Sequence, residues 1–180
     1  MKLVDGNGDV VLKGEQGELY VRSIFRLSGF VGMPEKFQDV IDSDNWFHTG
    51  DICHMRRDGN FVVDGRTSER IDMATKKILP KEIESVIIKC PGVTAVTAVP
   101  VPDVRLTNVI CACVILDETS GNNLCHVQEF CDNTWVESNA ISGLSLRPTY
   151  YLVFDRFLTN ANGKLDRKLM AEKARQRLGL

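Results

Sequence analysis

The sequence predicts an α+β fold: a small domain in residues 65–180, with a three-stranded sheet and helices packed on it, follows a β-rich segment in residues 1–64. Three observations lead to this prediction. Residues 1–64 have the pattern of short strands joined by turns, the pattern changes after Gly65, and helical periodicity and β-branched runs then follow one another. The first segment looks like a piece of a larger domain.

Strand-like stretches make up the β-rich segment. "ELYVRS" from Glu18 and "FVVDG" from Phe61 have strand composition, and the Asp58–Gly59 pair suits a hairpin turn that joins "CHMRR" to the second stretch. The stretch "NWFHTGD" sets two aromatic residues beside an expected Thr-Gly-Asp turn and ends in the carboxylate of Asp51. By itself, this pattern leaves the use of that carboxylate open.

Three helices are expected in the second domain. The first has Pro80 in its first turn, and a Pro-Gly pair at residues 91–92 ends it. Its apolar residues recur at helical spacing, at Ile83, Val86, Ile87 and Cys90. The second helix is indicated by Leu124, Val127, Phe130, Cys131 and Trp135. The third covers residues 165–178, which are good helix formers with an imperfect apolar stripe.

Three apolar runs supply the predicted sheet of this domain. They are "VTAVTAV" from Val93, "NVICACVIL" from Asn108 and "YYLVF" from Tyr150. Their β-branched and aromatic residues predict strands that are covered on at least one face, with the first two strands paired to each other.

Composition and charge exclude several classes of function. The chain has 180 residues, 43% of them hydrophobic, and a net charge of -2, so no basic field exists to hold nucleic acid or an anionic membrane. The six cysteines form no Cys-x-x-Cys pair, and the sequence has no signal segment and no apolar run of membrane length. We expect an intracellular protein, cytoplasmic or organellar, with reduced thiols and no membrane span.

Two stretches resemble ligand-binding loops but lack residues that such loops require. "DGNGDV" from Asp5 begins like a calcium loop, but Val10 replaces the glycine at its sixth position and Gln16 the glutamate at its twelfth. The loop "NANGKLD" lacks the first glycine of a phosphate-binding P-loop and has Leu165 in place of serine or threonine. We therefore expect no metal site in this chain.

Three charged residues remain as candidates for function: Asp51, Arg66 and Lys164. Each has a plain structural interpretation when it is taken alone. Asp51 would cap a turn or a helix, Arg66 would join a surface ion pair, and Lys164 would be a solvated loop residue. The motifs around them favour a functional interpretation instead.

Five motifs occur in order along the chain: "GELYVRS", "NWFHTGD", "DGNFVVDGRTSERI", "ILPKEIE" and "NGKLDRK". In order and spacing they resemble the C-terminal part of the adenylate-forming superfamily, which includes AMP-forming acyl-CoA synthetases, firefly-type luciferases and adenylation domains of peptide synthetases. The resemblance runs from about Val4 to Lys168. It implies that residues 1–64 are the β-rich end of the AMP-binding N-terminal body and residues 65–180 the mobile C-terminal domain.

The resemblance implies an acid–thiol ligase. A carboxylic acid, here expected to be a fatty acid, attacks the α-phosphate of ATP to give an acyl-adenylate and pyrophosphate, and coenzyme A then displaces AMP. By this resemblance Asp51 would accept hydrogen bonds from both ribose hydroxyls and Arg66 would donate to the same nucleotide. Lys164 would be the catalytic lysine that offsets charge at the α-phosphate during adenylation.

A movement of the C-terminal domain between the two half-reactions is also implied, with its hinge at Ser68. One face of that domain would present Lys164 and the other the loop 72–77. Two positions depart from the family pattern: Ser68 stands where Lys or Asp is common, and "DMAT", residues 72–75, replaces a "KYKG"-like loop. A glycine there could adopt a positive φ, which Thr75 would do only with strain.

The remaining parts of the family's active site precede the part that this chain resembles. They are the glycine-rich phosphate loop, the acid pocket and the residues that support Mg²⁺, so we expect little or no activity from this chain alone. Two alternatives stay open. One is a non-catalytic interaction or regulatory module derived from such an enzyme, and the other is a plain α+β domain in which the three charged residues are structural.

Overall fold

The computed structural model describes residues 1–25, 28–135 and 145–180. Over these residues the chain forms two compact units, Met1–Ser68 and Glu69–Leu180, and each unit has its own sheet structure. A single turn of 3-10 helix, Thr67–Glu69, includes the last residues of the first unit and the first residue of the second.

The first unit contains a four-stranded antiparallel sheet with its strands in chain order. The strands are β1 (Lys2–Val4), β2 (Gln16–Val21), β3 (Phe47–Met55) and β4 (Phe61–Arg66), and a short helix, α1 (Pro34–Gln38), precedes β3. The predicted hairpin is confirmed, because β3 and β4 pair antiparallel and Gly59 turns the chain between them at a φ of 86°.

The Thr-Gly-Asp segment that we expected to form a turn is instead part of β3, so this expectation was wrong. The strand is irregular at this place: its pairing with β2 shifts register between Glu18 and Tyr20. Gly50 has a φ of 71°, a value that residues with a Cβ atom rarely adopt. A β-bulge and a turn both favour a glycine with a positive φ, which explains why the sequence pattern suggested a turn here.

Among the described residues, the second unit has a three-stranded sheet, a small hairpin and three α-helices. In chain order these are β5 (Ile71–Met73), β6 (Lys76–Ile78), α2 (Pro80–Ile87), β7 (Val93–Asp103), β8 (Thr107–Leu116), α3 (Leu124–Trp135), β9 (Tyr150–Val153) and α4 (Arg167–Leu178). Strand β8 is central, antiparallel to β7 and parallel to β9. The predicted strands and helices are confirmed, and α4 begins slightly later than expected.

Both faces of this sheet are covered, as its continuous apolar strands require. On one face, the β5–β6 hairpin and helices α2 and α3 pack over residues such as Ile110 and Ala112 of β8. On the other face, α4 packs through Met170 against Val109 and Cys111 of the same strand. The two-residue alternation along β8 thus divides the core into two buried clusters.

The sequence pattern did not indicate the β5–β6 hairpin, whose strands have three residues each. Ile71 and Met73 are buried with Asp72 exposed between them, an alternation too short to be recognised as a strand. The turn of the hairpin holds Ala74 at a φ of 52°, whereas Thr75 has no positive φ. The positive φ of this hairpin therefore lies one position before Thr75.

The helices in the described part of the chain are short. The longest, α3 and α4, have 12 residues each, whereas about 20 apolar residues are needed to cross a bilayer. None of the helices described could therefore cross a membrane.

Candidate functional site

Asp51 and Arg66 face each other across two neighbouring strands of the first unit. They are register partners of β3 and β4, and Nε of Arg66 lies 2.9 Å from Oδ1 of Asp51. Nη1 of Arg66 also donates a hydrogen bond to the backbone carbonyl of Thr49 at 3.3 Å. The side chains of Asp51 and Arg66 are 27% and 57% exposed, so both can meet a ligand from solvent.

Hydrogen bonds from two neighbouring segments hold the backbone of Gly50, the residue directly before Asp51. The Glu18 carboxylate accepts the Gly50 N–H at 3.1 Å, and the Thr67 hydroxyl donates to the Gly50 carbonyl at 2.7 Å. The Asp51 N–H itself donates to the Thr49 hydroxyl at 3.1 Å. These contacts fix the backbone that carries Asp51, and the ion pair with Arg66 holds its carboxylate, so the site is pre-organised before any ligand binds.

The Asp51–Arg66 pair keeps hydrogen-bonding capacity on both partners. A carboxylate offers about four lone-pair positions and a guanidinium five N–H donors, and the contacts described above use two of those donors. Two adjacent hydroxyl groups can therefore donate to Asp51 while Arg66 donates to a neighbouring oxygen. The geometry suits a vicinal diol such as that of a ribose.

The thiol beside this pair is not prepared as a nucleophile. Cys53 is fully buried in β3, and its burial, followed by the negative charges of Asp51 and Asp64, raises the pKa of the thiol. A thiol with a raised pKa stays protonated at neutral pH and reacts slowly. Cys53 is therefore not a candidate for covalent attack.

Lys164 lies in the second unit, on an exposed loop before α4. The Asn160 side chain accepts the backbone N–H groups of Asn162 and Lys164 at 3.0 and 3.1 Å, and Gly163 turns the chain at a φ of 74°. The loop is therefore ordered by its own backbone contacts. The structure brings Asp51 and Arg66 together, whereas Lys164 belongs to the other unit.

Ser68, the predicted hinge residue, is the last residue of the first unit. Its two neighbours are each bonded within their own unit. Thr67 donates to Gly50 in the first unit, and Oε2 of Glu69 lies 3.4 Å from Nε of Arg167 in the second. The hinge movement itself stays a prediction.

The segment predicted to present a loop on the other face, residues 72–77, forms the tight β5–β6 hairpin. The Asn108 side chain donates to the Asp72 carbonyl at 2.9 Å, and the Ala74 N–H donates to the Leu106 carbonyl at 2.8 Å. Because its backbone is tied to the β7–β8 connection and β8, the hairpin is an integral part of the second unit.

Sequence reasoning missed the polar residues that hold these elements in place. They are Glu18, Thr67, Glu69, Glu84, Thr97 and Arg167. All of them except Thr97 lie inside the five motifs, so membership of a motif is the signal that could have found them.

Comparisons with known proteins find relatives among ligases. Residues 82–164 match the AMP-binding enzyme C-terminal domain. The chain is 28% identical, over 173 residues, to a mitochondrial medium-chain acyl-CoA ligase of Mus musculus, an alignment that covers 96% of this chain and 27% of the relative. It is 27% identical to a salicyl-AMP ligase of Mycobacterium tuberculosis, with 96% and 29% covered. The chain thus spans less than a third of these curated relatives.

Solved structures show the same fold. The ATP-bound crystal structure of MatB from Rhodopseudomonas palustris aligns with a TM-score of 0.85 and 22% identity, covering 98% of this chain and 34% of that one. The amide bond synthetase McbA from Marinactinospora thermotolerans aligns with a TM-score of 0.81 and 23% identity, over 96% and 34%. At such identities the likeness concerns the fold alone.

Proposed function

Because the chain contains the C-terminal domain of AMP-binding, adenylate-forming enzymes, we propose that it forms one end of the nucleotide site and the mobile domain of an AMP-forming acid–thiol ligase. In such a ligase ATP converts a carboxylic acid to an acyl-adenylate, and coenzyme A then displaces AMP. We propose a fatty acid as the substrate, a choice supported by the medium-chain acyl-CoA ligase among the relatives.

The observation that carries this proposal is the pairing of Asp51 with Arg66. In the proposed role, Asp51 accepts hydrogen bonds from the 2′- and 3′-hydroxyls of the ribose, while Arg66 holds the carboxylate in place and donates to the same nucleotide. The backbone contacts of Gly50 orient the carboxylate in advance, so binding does not have to order it. A carboxylate is required because an amide has only one acceptor oxygen.

Lys164 is the proposed catalytic lysine, and Ser68 the proposed hinge residue. The Lys164 ammonium would offset the negative charge that the acid oxygens and the α-phosphate share while the new P–O bond forms. A flexible point cation suits a group that has to reach the reacting atoms from a separate unit. The exposed, ordered loop that carries Lys164 supports this role.

We propose that the complete enzyme, of which this chain forms a part, uses Mg²⁺ and coenzyme A. Within the described residues, no group of three or more His, Cys, Asp or Glu side chains could hold a metal ion. We propose that other parts of the complete enzyme hold Mg²⁺. The tight β5–β6 hairpin would approach coenzyme A after the proposed domain movement and not before it. It would do so through its backbone atoms.

The nucleotide role can be tested on this chain by NMR titration with AMP and with 2′,3′-dideoxy-AMP. We expect weak binding of AMP, on the order of millimolar, and binding of 2′,3′-dideoxy-AMP that is weaker by about 100-fold or more, because it lacks both hydroxyls and each hydrogen bond to a charged group contributes about 1.5–3 kcal/mol. Asp51→Asn should abolish the preference for AMP. Asp64→Asn is the matched control, because Asp64 lies in the same sheet but is bonded to His54 at 2.8 Å.

Two results would contradict the nucleotide role: no difference between the two ligands in the wild type, or a preference that persists in Asp51→Asn.

The catalytic role needs the complete site, supplied by a complementing fragment that carries the N-terminal body of a relative. Acid-dependent ATP–pyrophosphate exchange should fall about 100-fold or more in Lys164→Ala and stay unchanged in Lys173→Ala, a control on the exposed face of α4. Undiminished exchange in Lys164→Ala would refute the assigned role. Tight association with the fragment without any exchange would instead favour the non-catalytic interaction module.

A further inference from the structure

Arg167, the first residue of α4, lies at the centre of a charged network in the second unit. Its Nη1 and Nη2 atoms donate to the two carboxylate oxygens of Glu84, with Nη2 and Oε2 3.1 Å apart. Nη1 also donates to the Thr97 hydroxyl at 2.6 Å, and Nε lies 3.4 Å from Oε2 of Glu69. All three guanidinium nitrogens therefore have a partner, which only the planar fork of arginine allows.

The inner part of this network is largely shielded from solvent, and its polar groups are hydrogen-bonded. The Arg167 and Glu84 side chains are 22% and 16% exposed, and Thr97 is fully buried. Glu84 accepts a further hydrogen bond from the Ala98 N–H at 2.9 Å. A largely shielded ion pair with every carboxylate oxygen bonded is rigid, because breaking any one contact leaves a charge without its partner.

The outer contact, with Glu69, is of a different kind. Glu69 is 39% exposed and comes directly after Ser68, the proposed hinge residue. On the other side of Ser68, Arg66 and Thr67 are bonded to Asp51 and Gly50. Side-chain contacts thus hold the chain on both sides of Ser68, each within its own unit.

We propose that Arg167 is a positioning residue that fixes the start of the mobile unit at Glu69, so that rotation is confined to Ser68. Because α4 begins three positions after Lys164, the same guanidinium ties the chain that leaves the hinge to the loop that carries the lysine. A rotation at Ser68 then moves Lys164 as part of one rigid unit. The inference rests on the proposed roles of Ser68 and Lys164 and adds the residues that connect them.

Glu69→Gln tests this inference without unfolding the protein, since it removes the charge on which the 3.4 Å ion pair with Arg167 depends and leaves the Arg167–Glu84 pair intact. Glu118→Gln is the matched control, because Glu118 is also an exposed glutamate in a 3-10 turn. Hydrogen exchange of residues 66–72, followed by mass spectrometry, should become about two- to fivefold faster in Glu69→Gln and stay unchanged in the control. Equal exchange in both variants would overturn the inference.

Arg167→Lys provides a second variant with the charge retained. A lysine cannot bond Glu84, Thr97 and Glu69 together, so exchange should become faster both at residues 66–72 and in the Lys164 loop, residues 158–166. An effect of Arg167→Lys on the loop alone would mean that the hinge end is not held, and would also overturn the inference.

Measurements of kcat distinguish a positioning role of the Arg167–Glu69 contact from a purely structural one. In the complemented enzyme, Glu69→Gln should lower kcat for ATP–pyrophosphate exchange about threefold and leave the KM for ATP unchanged. Faster hydrogen exchange with an unchanged kcat would mean that the contact only stabilises the fold, against the inference. If Lys164→Ala kept full exchange activity, the proposed function would fail, while the hydrogen-exchange results would still decide the Arg167 contact itself.

Discussion

The N-cap of α4 gives a prediction that can be worked out from the structure. Oδ1 of Asp166 accepts the backbone N–H groups of Lys168 and Leu169 at 3.1 and 3.0 Å. The helix that starts here carries Met170 into the core and follows directly after the Lys164 loop. Asp166→Ala removes both hydrogen bonds and the negative charge, whereas Asp166→Asn removes only the charge.

The magnitudes of the two changes differ. Loss of an N-cap costs about 1 kcal/mol, and loss of a carboxylate at a helix N-terminus costs about 0.3–1 kcal/mol. We expect Asp166→Ala to destabilise the second unit by about 1.5 kcal/mol and Asp166→Asn by about 0.5 kcal/mol. For a unit of this size, Glu69–Leu180, the alanine variant should lower Tm by about 6 °C.

The two tryptophans make the assay specific for each unit. Trp135 is buried in the second unit and Trp46 lies in the first, so urea unfolding followed by fluorescence in a Trp46→Phe background reports on the second unit. The reasoning would be refuted if alanine and asparagine destabilised the unit equally, because the hydrogen bonds would then contribute nothing beyond the charge. It would also be refuted if neither variant shifted the urea midpoint.

Two further predictions concern positions outside the site. A Cβ atom on Gly17 would lie 2.8 Å from the backbone nitrogen of Val4, so Gly17→Ala should lower the stability of the first unit by about 1–3 kcal/mol in urea unfolding, whereas Gly6→Ala, which meets no atom within 4 Å, should have little effect. Burial raises the pKa of the Cys131 thiol to about 11, whereas Cys125 is exposed. Since a raised pKa lowers the thiolate fraction, a disulfide reagent at pH 8 should modify Cys131 about 100-fold or more slowly than Cys125, as peptide mass spectrometry can measure, and comparable rates would contradict the burial of Cys131.

Periodicity explains how much of the fold was predictable. The helix at Ile83 and the strands from Val93 and Asn108 are long enough for their burial pattern to show in the sequence, and the structure confirms them. The β5–β6 hairpin has only three residues in each strand, so its alternation carries too little information. The segment at Gly50 was misread because a bulge and a turn both select a glycine with positive φ.

The candidate site was predictable in its charged residues but not in the contacts that position them. Asp51 and Arg66 stood out through their motifs, and the register of β3 and β4 now explains their separation along the chain. No periodicity could have paired Glu84 with Arg167, since the two lie in different helices, 83 residues apart along the chain.

The motif that contains Ser68 contributes one charged residue to each of the two units. Its first part contributes Arg66 to the Asp51 carboxylate, and its last part contributes Glu69 to the Arg167 guanidinium. A stretch that joined two units only as a linker would have no need for a charged partner on each side, because linkers act through length and flexibility. Because Arg66 and Glu69 are each paired within their own unit, the proposed rotation at Ser68 would leave both ion pairs intact.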